Sequence, residues 1–254
     1  MVVKLGSRVL VQGSGRPDNH RIRALVKEIA NIHNAGREIV IVTSGAIGAG
    51  MEALRMKDRP EKLPDLQMAA AVGQTRLMSR YDEYFGKQGC KVGQILLTHA
   101  DFNHKIRLNN AKRTIENLLR HGVIPIINEN DAVADEEIRA DLALGDNDYL
   151  ASHLIRLVRA DLLVLLTTSD GVREPGRAGR TKRVRYIEEI TRKTFALASS
   201  STSRLSRGGM LTKLKAAQVA SRSGCSTVIA NGREKGILLK ILDGDDVGTI
   251  IPGG

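Results

Sequence analysis

The chain has 254 residues and a formal net charge of +11, which together limit the kinds of protein it can be. Its length is enough for one large domain or two small ones with a buried core. No segment is long and apolar enough to cross a membrane, and Met1 leads directly into an apolar strand without a basic leader, so we expect a cytoplasmic protein. The two cysteines, Cys90 and Cys225, are too few for a disulfide framework or a zinc site.

The positive charge indicates an anionic partner, which could be a nucleic acid, a membrane surface or a phosphorylated small molecule. Proteins that bind single-stranded nucleic acid stack the bases on exposed aromatic side chains, but this chain has no Trp, four Tyr and three Phe. Its basic residues are also scattered, apart from the region between Arg173 and Arg185. Binding to nucleic acid is therefore disfavoured.

The chain begins with a predicted strand, helix and second strand, which form a βαβ unit. Residues 2–5 predict a short strand that carries Lys4 near its carboxyl end, where an ammonium is costly to bury unless it meets an anion. Apolar residues at helical spacing between positions 22 and 30 predict the helix, and Gly36 ends it.

The second strand runs into a glycine-rich turn. Residues 39–42 are apolar without polar alternation, which predicts a strand covered on both faces, as in a parallel α/β sheet. Thr43, Ser44 and then glycines at positions 45, 48 and 50 follow directly. Glycines at this point let backbone N–H groups approach an anion, and a following helix adds its positive end. A tight strand-to-helix turn without a ligand is the alternative interpretation.

The same alternation continues through the middle of the chain. The predicted elements are a loop or lid at 55–64, a helix at 65–85, a strand at 89–97, a helix at 110–121 and a strand at 123–127. We expect the first of these helices to bury Met68, Val72 and Leu77. The last strand runs into Asn128, Glu129, Asn130 and Asp131. Such a cluster is either a hydrogen-bonded turn or a site for a polar substrate, and its place at a strand end favours the site.

The last part of the chain carries two more polar segments. The predicted elements are a charged segment at 135–144, a helix at 146–158, a strand at 162–166, a basic loop through 176 and 179, a serine run at 199–203, a helix opening at 208–213, a strand at 227–230, a helix at 234–242 and a strand at 247–251. Asp146 and Asp148 either cap their helix or form a second candidate site. A glycine pair before Thr212 and Lys213 resembles a phosphate cradle at a helix start, although the motif is weak on its own.

These segments suit phosphoryl transfer, in which positioning and charge neutralisation contribute most of the catalysis. In a parallel sheet Lys4, the turn at Ser44, the cluster at 128–131 and the segment 167–171 can converge on the edge formed by the carboxyl ends of the strands. No Ser/His/Asp arrangement is evident, and the six histidines lie on predicted helices or loops without ligand spacing.

Seven blocks of the sequence match the motifs of one known family. The blocks are VVKLGS from Val2, IVIVTSGAIGAG from Ile39, QMAAAVGQTRLM from Gln67, VGQILLT from Val92, PIINENDAVA from Pro125, GDNDYLAS from Gly145 and GGMLTKLKAA from Gly208. They resemble the amino acid kinase family, and in particular its members that phosphorylate glutamate in proline biosynthesis. They cover essentially the whole chain in order. The resemblance implies an α/β fold of three αβα layers around a mainly parallel sheet. It also implies a single domain over 1–254, with glutamate held mainly by 1–160 and ATP mainly by 161–254.

The resemblance implies a reaction as well, in which ATP phosphorylates the side-chain carboxylate of L-glutamate to give γ-glutamyl phosphate and ADP. The cofactors would be ATP and Mg²⁺, the ion entering on the ATP phosphates, with no metal site of protein ligands. The attacking carboxylate is already ionised, so no general base is needed. Members of the family tend to form dimers and tetramers and to be inhibited by proline, so we expect a homo-oligomer and feedback by proline.

The site residues follow from the positions of the family motifs. The implied catalytic residues are Lys4, Lys213, Asp148 and Asp146. The two lysines would flank the transferred phosphoryl group, Asp148 would orient them, and Asp146 would line the same site. The implied substrate-binding residues are Ser44, Gly45, Asn128, Asp131 and Asn147. The implied nucleotide-binding residues are Lys4, Thr167, Thr168, Gly208, Gly209, Met210, Leu211, Thr212 and Lys213.

The chain departs from the family pattern at several positions. Members often continue into a PUA domain, whereas this sequence ends at Gly254, so we expect either a naturally short form or a chain from which that domain has been trimmed. Residues 140–144 are extra relative to the pattern, and Ser7 and Arg8 replace its usual Thr-Ser. Thr168 stands where the family usually has Asp, and Arg173 follows where a Tyr is usual.

Two alternatives remain open. The first is another kinase of the same family, acting on aspartate, acetylglutamate or a nucleoside monophosphate, and the block that contains Asn128 and Asp131 argues against it. The second is a catalytically silent binding or regulatory protein with the same fold. Retention of Lys4, Lys213 and Asp148 argues against that alternative.

Overall fold

The computed structural model of the chain describes residues 1–133, 146–176, 180–199 and 204–254. The chain forms two compact units: unit 1 comprises Met1–Lys4 and Asp141–Gly254, and unit 2 comprises Leu5–Ala140. The division predicted at residue 160 thus lies later in the chain than the boundary between the units. The charged segment at 135–144, the extra residues 140–144 and most of the serine run lie outside the described residues. No helix in the described ranges is long and apolar enough to span a membrane.

Strand β1 (Val2–Leu5) begins the chain, and unit 2 follows it. The described elements of unit 2 are α1 (Ser7–Leu10), α2 (Asn19–Asn34), β2 (Val40–Val42), α3 (Ala46–Ala53), α4 (Leu63–Gly86), β3 (Lys91–Leu97), α5 (His99–Phe102), α6 (Lys105–Arg120) and β4 (Val123–Glu129). The strands lie in the order β3-β4-β2 and are parallel, with Ile41 opposite Ile126. Strands β2 and β4 are buried, as expected for apolar strands covered on both faces.

Helix α4 packs against α3, and two glycines make this contact possible. A Cβ at Gly50 would collide with the carbonyl oxygen of Ala69, and a Cβ at Gly73 would collide with that of Ala46. The two helix backbones therefore approach more closely than any side chain would allow.

The prediction that Met68 faces the core of unit 2 is wrong, because 43% of the residue is exposed. Leu77 is buried as predicted, and Val72 is partly exposed. The buried stripe of α4 consists of Leu66, Ala69, Ala70, Gly73, Leu77, Tyr81, Tyr84 and Phe85. Met68 lies two residues from Leu66 and Ala70, which places it on the opposite side of a helix with 3.6 residues per turn.

The described elements of unit 1 after β1 are α7 (Asp146–Val158), β5 (Leu162–Thr167), β6 (Arg173–Pro175), β7 (Thr181–Arg183), α8 (Arg192–Ser199), α9 (Arg204–Ser221), β8 (Ser226–Asn231), α10 (Ile237–Asp243) and β9 (Thr249–Ile251). Its strands lie in the order β1-β5-β8-β9. Strands β5 and β8 are parallel, and β9 is antiparallel to β8. The segment predicted as a basic loop forms the antiparallel hairpin β6–β7, with Arg173 opposite Arg183.

Candidate active site

Lys4, Asp148 and Lys213 form a buried ion cluster in unit 1. The Nζ of Lys4 lies 2.7 Å from Oδ1 of Asp148, and the Nζ of Lys213 lies 3.0 Å from Oδ2. The exposed fractions of the three side chains are 7% for Lys4, 1% for Asp148 and 8% for Lys213. The cluster thus carries two positive charges and one negative charge in a place that is nearly closed to water.

Each member of the cluster is held by a regular element. Lys4 is in the buried strand β1, Asp148 is in the first turn of α7, and Lys213 is in the middle of α9, which packs against α7. Side chains on strands and helices are positioned more rigidly than side chains on loops. The backbone therefore fixes where each side chain begins, and the shared carboxylate sets the spacing of the two ammonium groups.

The carboxylate of Asp148 has a third donor, the hydroxyl of Thr212. Thr212 Oγ1 lies 2.8 Å from Oδ2, the same oxygen that Lys213 contacts. Burial raises the pKa of Asp148, but the ammonium groups of Lys4 and Lys213 outweigh burial and lower the pKa to about 2. Asp148 is thus ionised at neutral pH, and the cluster has a net positive charge. A bound anion would offset that charge.

The segment from Gly208 to Lys213 does not begin a helix, so the prediction of a helix start at this segment is wrong, while its nucleotide-binding role stays a prediction. Helix α9 begins at Arg204, four residues before Gly208. Backbone N–H groups in a helix interior donate to the carbonyl four residues earlier, and only those of the first turn are free to bind an anion. In the described structure this segment contributes side chains to the cluster, those of Thr212 and Lys213.

Two further residues of the predicted site lie at the start of α7. Asp146 is the first residue of the helix, and Asn147 is the second and is half-buried. Both are within two positions of Asp148 in the sequence. The catalytic role of Asp146 and the substrate-binding role of Asn147 stay predictions.

The turn after β5 contains the two threonines predicted to hold the nucleotide. Thr167 is the last residue of β5, and Thr168 follows it. Two residues later the carboxylate of Asp170 pairs with Arg173, whose Nη1 lies 2.7 Å from each carboxylate oxygen. Arg173 also donates to the hydroxyl and the carbonyl oxygen of Thr181 across the hairpin, both at 2.7 Å. Asp170 is therefore directed towards the hairpin by a salt bridge of its own.

In unit 2 the end of β2 carries the predicted substrate turn. The amide of Thr43 donates to the carbonyl oxygen of Ile127 in β4 at 2.9 Å, and its hydroxyl lies 2.7 Å from the hydroxyl of Tyr81. Ser44 is buried, and Gly45 precedes α3 with a φ of +104°. Of the glycines at positions 45, 48 and 50, Gly45 alone has a positive φ, a conformation that favours glycine. Gly50 lies inside α3 and packs against α4.

Asn128 lies inside β4, because this strand continues to Glu129 rather than ending at position 127. The residue is 1% exposed, and its Nδ2 donates to Oε1 of Gln74 in α4 at 2.8 Å. Among the described residues, Oδ1 of Asn128 and Nε2 of Gln74 have no hydrogen-bond partner. One acceptor and one donor are therefore left for a polar ligand. Asp131 follows in the turn after β4 and is half-buried.

Sequence reasoning missed two of these contacts. Gln74 was present only as part of the motif at 67–78, and nothing in its spacing showed that it would contact Asn128. The hydroxyl of Thr212 was assigned to the nucleotide because it precedes Lys213 in a glycine-rich motif. The rotation of α9, which places the hydroxyl against Asp148, is not specified by this motif.

The architecture and the family are both shown by comparison with known proteins. The fold matches the carbamate kinase from Giardia lamblia bound to AMP-PNP with a TM-score of 0.68 over 100% of this chain and 98% of that one, at 17% identity. This similarity confirms the predicted α/β fold, the three-layer αβα sandwich of the carbamate kinase type. The model of the amino acid kinase family matches residues 1–231, and the chain belongs to this family.

The most similar relatives include two glutamate 5-kinases. The glutamate 5-kinase of Clostridium acetobutylicum is 42% identical over 252 residues, which are 98% of this chain and 93% of that protein. The glutamate 5-kinase of Thermoanaerobacter sp. (strain X514) is 41% identical over 251 residues, which are 98% of this chain but 66% of the longer relative. The predicted family relationship is thereby confirmed.

Proposed function

We propose that this protein is an ATP-dependent kinase that phosphorylates the side-chain carboxylate of L-glutamate, giving γ-glutamyl phosphate and ADP. The proposal rests on the buried cluster of Lys4, Asp148 and Lys213 in a chain that is 42% identical to a glutamate 5-kinase over 98% of its length. The other enzymes of the family and a silent regulator with the same fold are less favoured, because the cluster is complete and the relatives share one activity.

The two lysines suit the chemistry of phosphoryl transfer. The transferred group spreads negative charge over its three equatorial oxygens, and catalysis consists mainly of positioning and of stabilising that charge. Lys4 and Lys213 provide two donors whose spacing is set by a carboxylate that they share. Before ATP binds, Asp148 keeps both ammonium groups paired. When ATP binds, each lysine replaces its hydrogen bond to the Asp148 carboxylate with one to a phosphate oxygen. Both acceptors are anionic, so each ammonium group keeps a charge-assisted hydrogen bond.

Glutamate recognition is proposed for the polar residues of unit 2, and the substrate-binding role of Asn147 stays a separate prediction. An amino acid presents an ammonium group that donates and a carboxylate that accepts, and the pair formed by Asn128 and Gln74 leaves one acceptor and one donor among the described residues. The side chains of Asp131 and Ser44 and the backbone at Gly45 are the other proposed contacts. The γ-carboxylate of glutamate attacks as the anion, so the site needs no base to deprotonate it.

ATP binding is proposed for Thr167, Thr168, Lys213 and the segment from Gly208 to Leu211. No group of three or more His, Cys, Asp or Glu side chains in the described part of the chain is arranged to hold a metal ion. Mg²⁺ is proposed to bind through ATP oxygens and water, as this hard ion does in many kinases. When bound, it neutralises phosphate charge alongside the two lysines.

We also propose a cytoplasmic homo-oligomer, a dimer or tetramer, that proline inhibits.

The test is ADP release in a coupled assay with L-glutamate, L-aspartate, N-acetylglutamate and UMP, each with and without hydroxylamine. We expect ADP release with glutamate and formation of γ-glutamyl hydroxamate, because hydroxylamine traps an acyl phosphate. Turnover with another substrate would assign the protein to another branch of the family. Binding of ATP without ADP release on any substrate would favour the silent regulator.

A further inference from the structure

We propose that Thr212 is a positioning residue, whose hydroxyl holds the carboxylate of Asp148 in place while Lys4 and Lys213 engage the transferred phosphoryl group. This inference rests on the proposed kinase function. It replaces the contact with the nucleotide that the sequence motif implies for this threonine.

The hydroxyl of Thr212 is in a position to act on the carboxylate directly. Its Oγ1 lies 2.8 Å from Oδ2 of Asp148, and the residue is 7% exposed. Thr212 and Lys213 are consecutive in α9, and both reach the same carboxylate oxygen. The other oxygen, Oδ1, pairs with Lys4. Asp148 thus receives two charged donors and one neutral donor.

The single proton of the Thr212 hydroxyl has a choice of two acceptors. Oγ1 lies 2.8 Å from the carboxylate of Asp148 and 3.0 Å from the carbonyl oxygen of Gly209, one turn earlier in the helix. Hydrogen bonds to an ionised acceptor are shorter and roughly twice as strong as those between neutral groups. Because the pKa of Asp148 is about 2, the carboxylate is ionised at every pH at which the enzyme would work. The proton therefore points towards Asp148.

The neutral donor matters most when the charged donors are engaged elsewhere. A phosphoryl group attracts both ammonium groups, and a buried carboxylate that loses its partners is strongly destabilised. Thr212 has no charge and keeps its hydrogen bond to Oδ2 when Lys213 turns away. Thr212 thereby keeps the carboxylate of Asp148 in its place between the two lysines, and it does not contact the nucleotide.

The experiment compares Thr212→Val with Thr212→Ser and with a matched control. Valine has nearly the shape of threonine but no hydroxyl, and serine restores the hydroxyl. The control is Ser152→Ala, which removes another buried hydroxyl from unit 1, one that donates to the carbonyl oxygen of Tyr149 at 2.7 Å. We expect Thr212→Val to lower kcat about 10- to 100-fold, the range for one hydrogen bond to a charged group, with both KM values within about twofold of wild type.

We expect Thr212→Ser to recover most of kcat, and Ser152→Ala to behave as wild type. A rise in the KM for ATP with kcat retained would show that the hydroxyl binds the nucleotide, and unchanged kinetics in Thr212→Val would show that it has no role. Either result overturns the proposal.

A second measurement separates this proposal from the proposed function. If the wild type does not phosphorylate glutamate, the contact is tested by a double-mutant cycle of urea unfolding with Thr212→Val and Asp148→Asn. A non-zero coupling supports the positioning contact even without the activity, and additive effects overturn it. If Asp148→Asn does not fold, Asp148→Glu takes its place in the cycle.

Discussion

The ion cluster in unit 1 and the pair formed by Asn128 and Gln74 in unit 2 differ in how far their polar groups are paired within the protein. Lys4 and Lys213 are both paired with Asp148, and the cluster keeps one net positive charge. Asn128 and Gln74 satisfy only half of their hydrogen-bonding capacity among the described residues. Groups that stabilise a transient charge must be in place beforehand, because reorganisation during the reaction raises the barrier. Groups that select a substrate discriminate best when the wrong ligand leaves them unpaired.

The largest expected effect comes from removing a lysine from unit 1. Lys4→Ala and Lys213→Ala should each lower kcat by about 10²–10³, the usual loss for one group that stabilises developing charge. The KM for glutamate should change little, since the lysines act mainly in the transition state. Steady-state kinetics with Lys215→Ala as the control, an exposed lysine on the same helix, would measure this. Near-normal turnover in either variant would contradict the role of the cluster.

The next effect is on substrate binding. Asp131→Ala and Asn147→Ala should raise the KM for glutamate about 10- to 100-fold, because a bound ammonium that loses an acceptor costs about 1–3 kcal/mol. The KM for ATP should change far less. A selective rise in the KM for ATP would show that the substrate and nucleotide residues have been assigned the wrong way round.

The ion cluster also predicts a dependence of stability on pH. The folded pKa of Asp148 is about 2, below its ordinary value of 3.8, so its contribution to stability is complete above about pH 4 and is lost as the pH falls through 2. A shift of this size corresponds to about 2 kcal/mol. Urea unfolding of the wild type and of Asp148→Asn between pH 6 and 2 would test this. The free energy of unfolding should fall less in the variant as the pH is lowered. Equal loss in both proteins would place the effect in other carboxylates.

A smaller effect is expected at the amide pair. Gln74→Met keeps the length of the side chain but removes both its donor and its acceptor, and should raise the KM for glutamate about fivefold, the value of one neutral hydrogen bond. The control is Thr75→Ala, the exposed neighbour on α4. An unchanged KM for glutamate would show that the free amide atoms of the pair do not contact the substrate.

The smallest effect is expected at the nucleotide turn. We expect a comparatively high KM for ATP that rises with salt, because Thr168 provides no carboxylate where the family usually has one. Thr168→Asp should lower the KM for ATP a few-fold and leave that for glutamate unchanged. Asp170 is the other carboxylate close in sequence, but it pairs with Arg173, so Asp170→Ala should have little effect. A large rise in the KM for ATP in Asp170→Ala would show that this residue replaces the missing acid.

The sequence predicted the strands of both units well, and it did so for a physical reason. Strands β2, β4, β5 and β8 are buried, and burial on both faces requires an uninterrupted apolar run. It failed where packing rather than composition decides. Helix α9 begins at Arg204 although glycines, which have low helix propensity, lie at 208 and 209. Met68 was placed inward because it is apolar, but it lies off the buried stripe of α4.

The candidate site was predictable in part. Lys4 was conspicuous because a lysine in an apolar strand requires an anion, and the structure supplies one in Asp148. The meeting of Lys4, Asp148 and Lys213 depended on the family resemblance, because the three residues are far apart in sequence. The contacts of Gln74 and Thr212 depend on helix rotation, and no single-sequence pattern specifies that rotation to within one residue.

The close contact at Gly73 fixes the axial position of α4. Any side chain at this position would have to displace the backbone of α3, so the two helices can neither slide along each other nor accept a larger residue there. Gln74 is the next residue of the chain. The contact between the backbones of α3 and α4 thus fixes the position of the Gln74 amide along α4 relative to Gly45, which lies at the start of α3. Gly73→Ala should therefore force the two helices apart and change the distance between the Gln74 amide and Gly45, both of which are proposed contacts of glutamate.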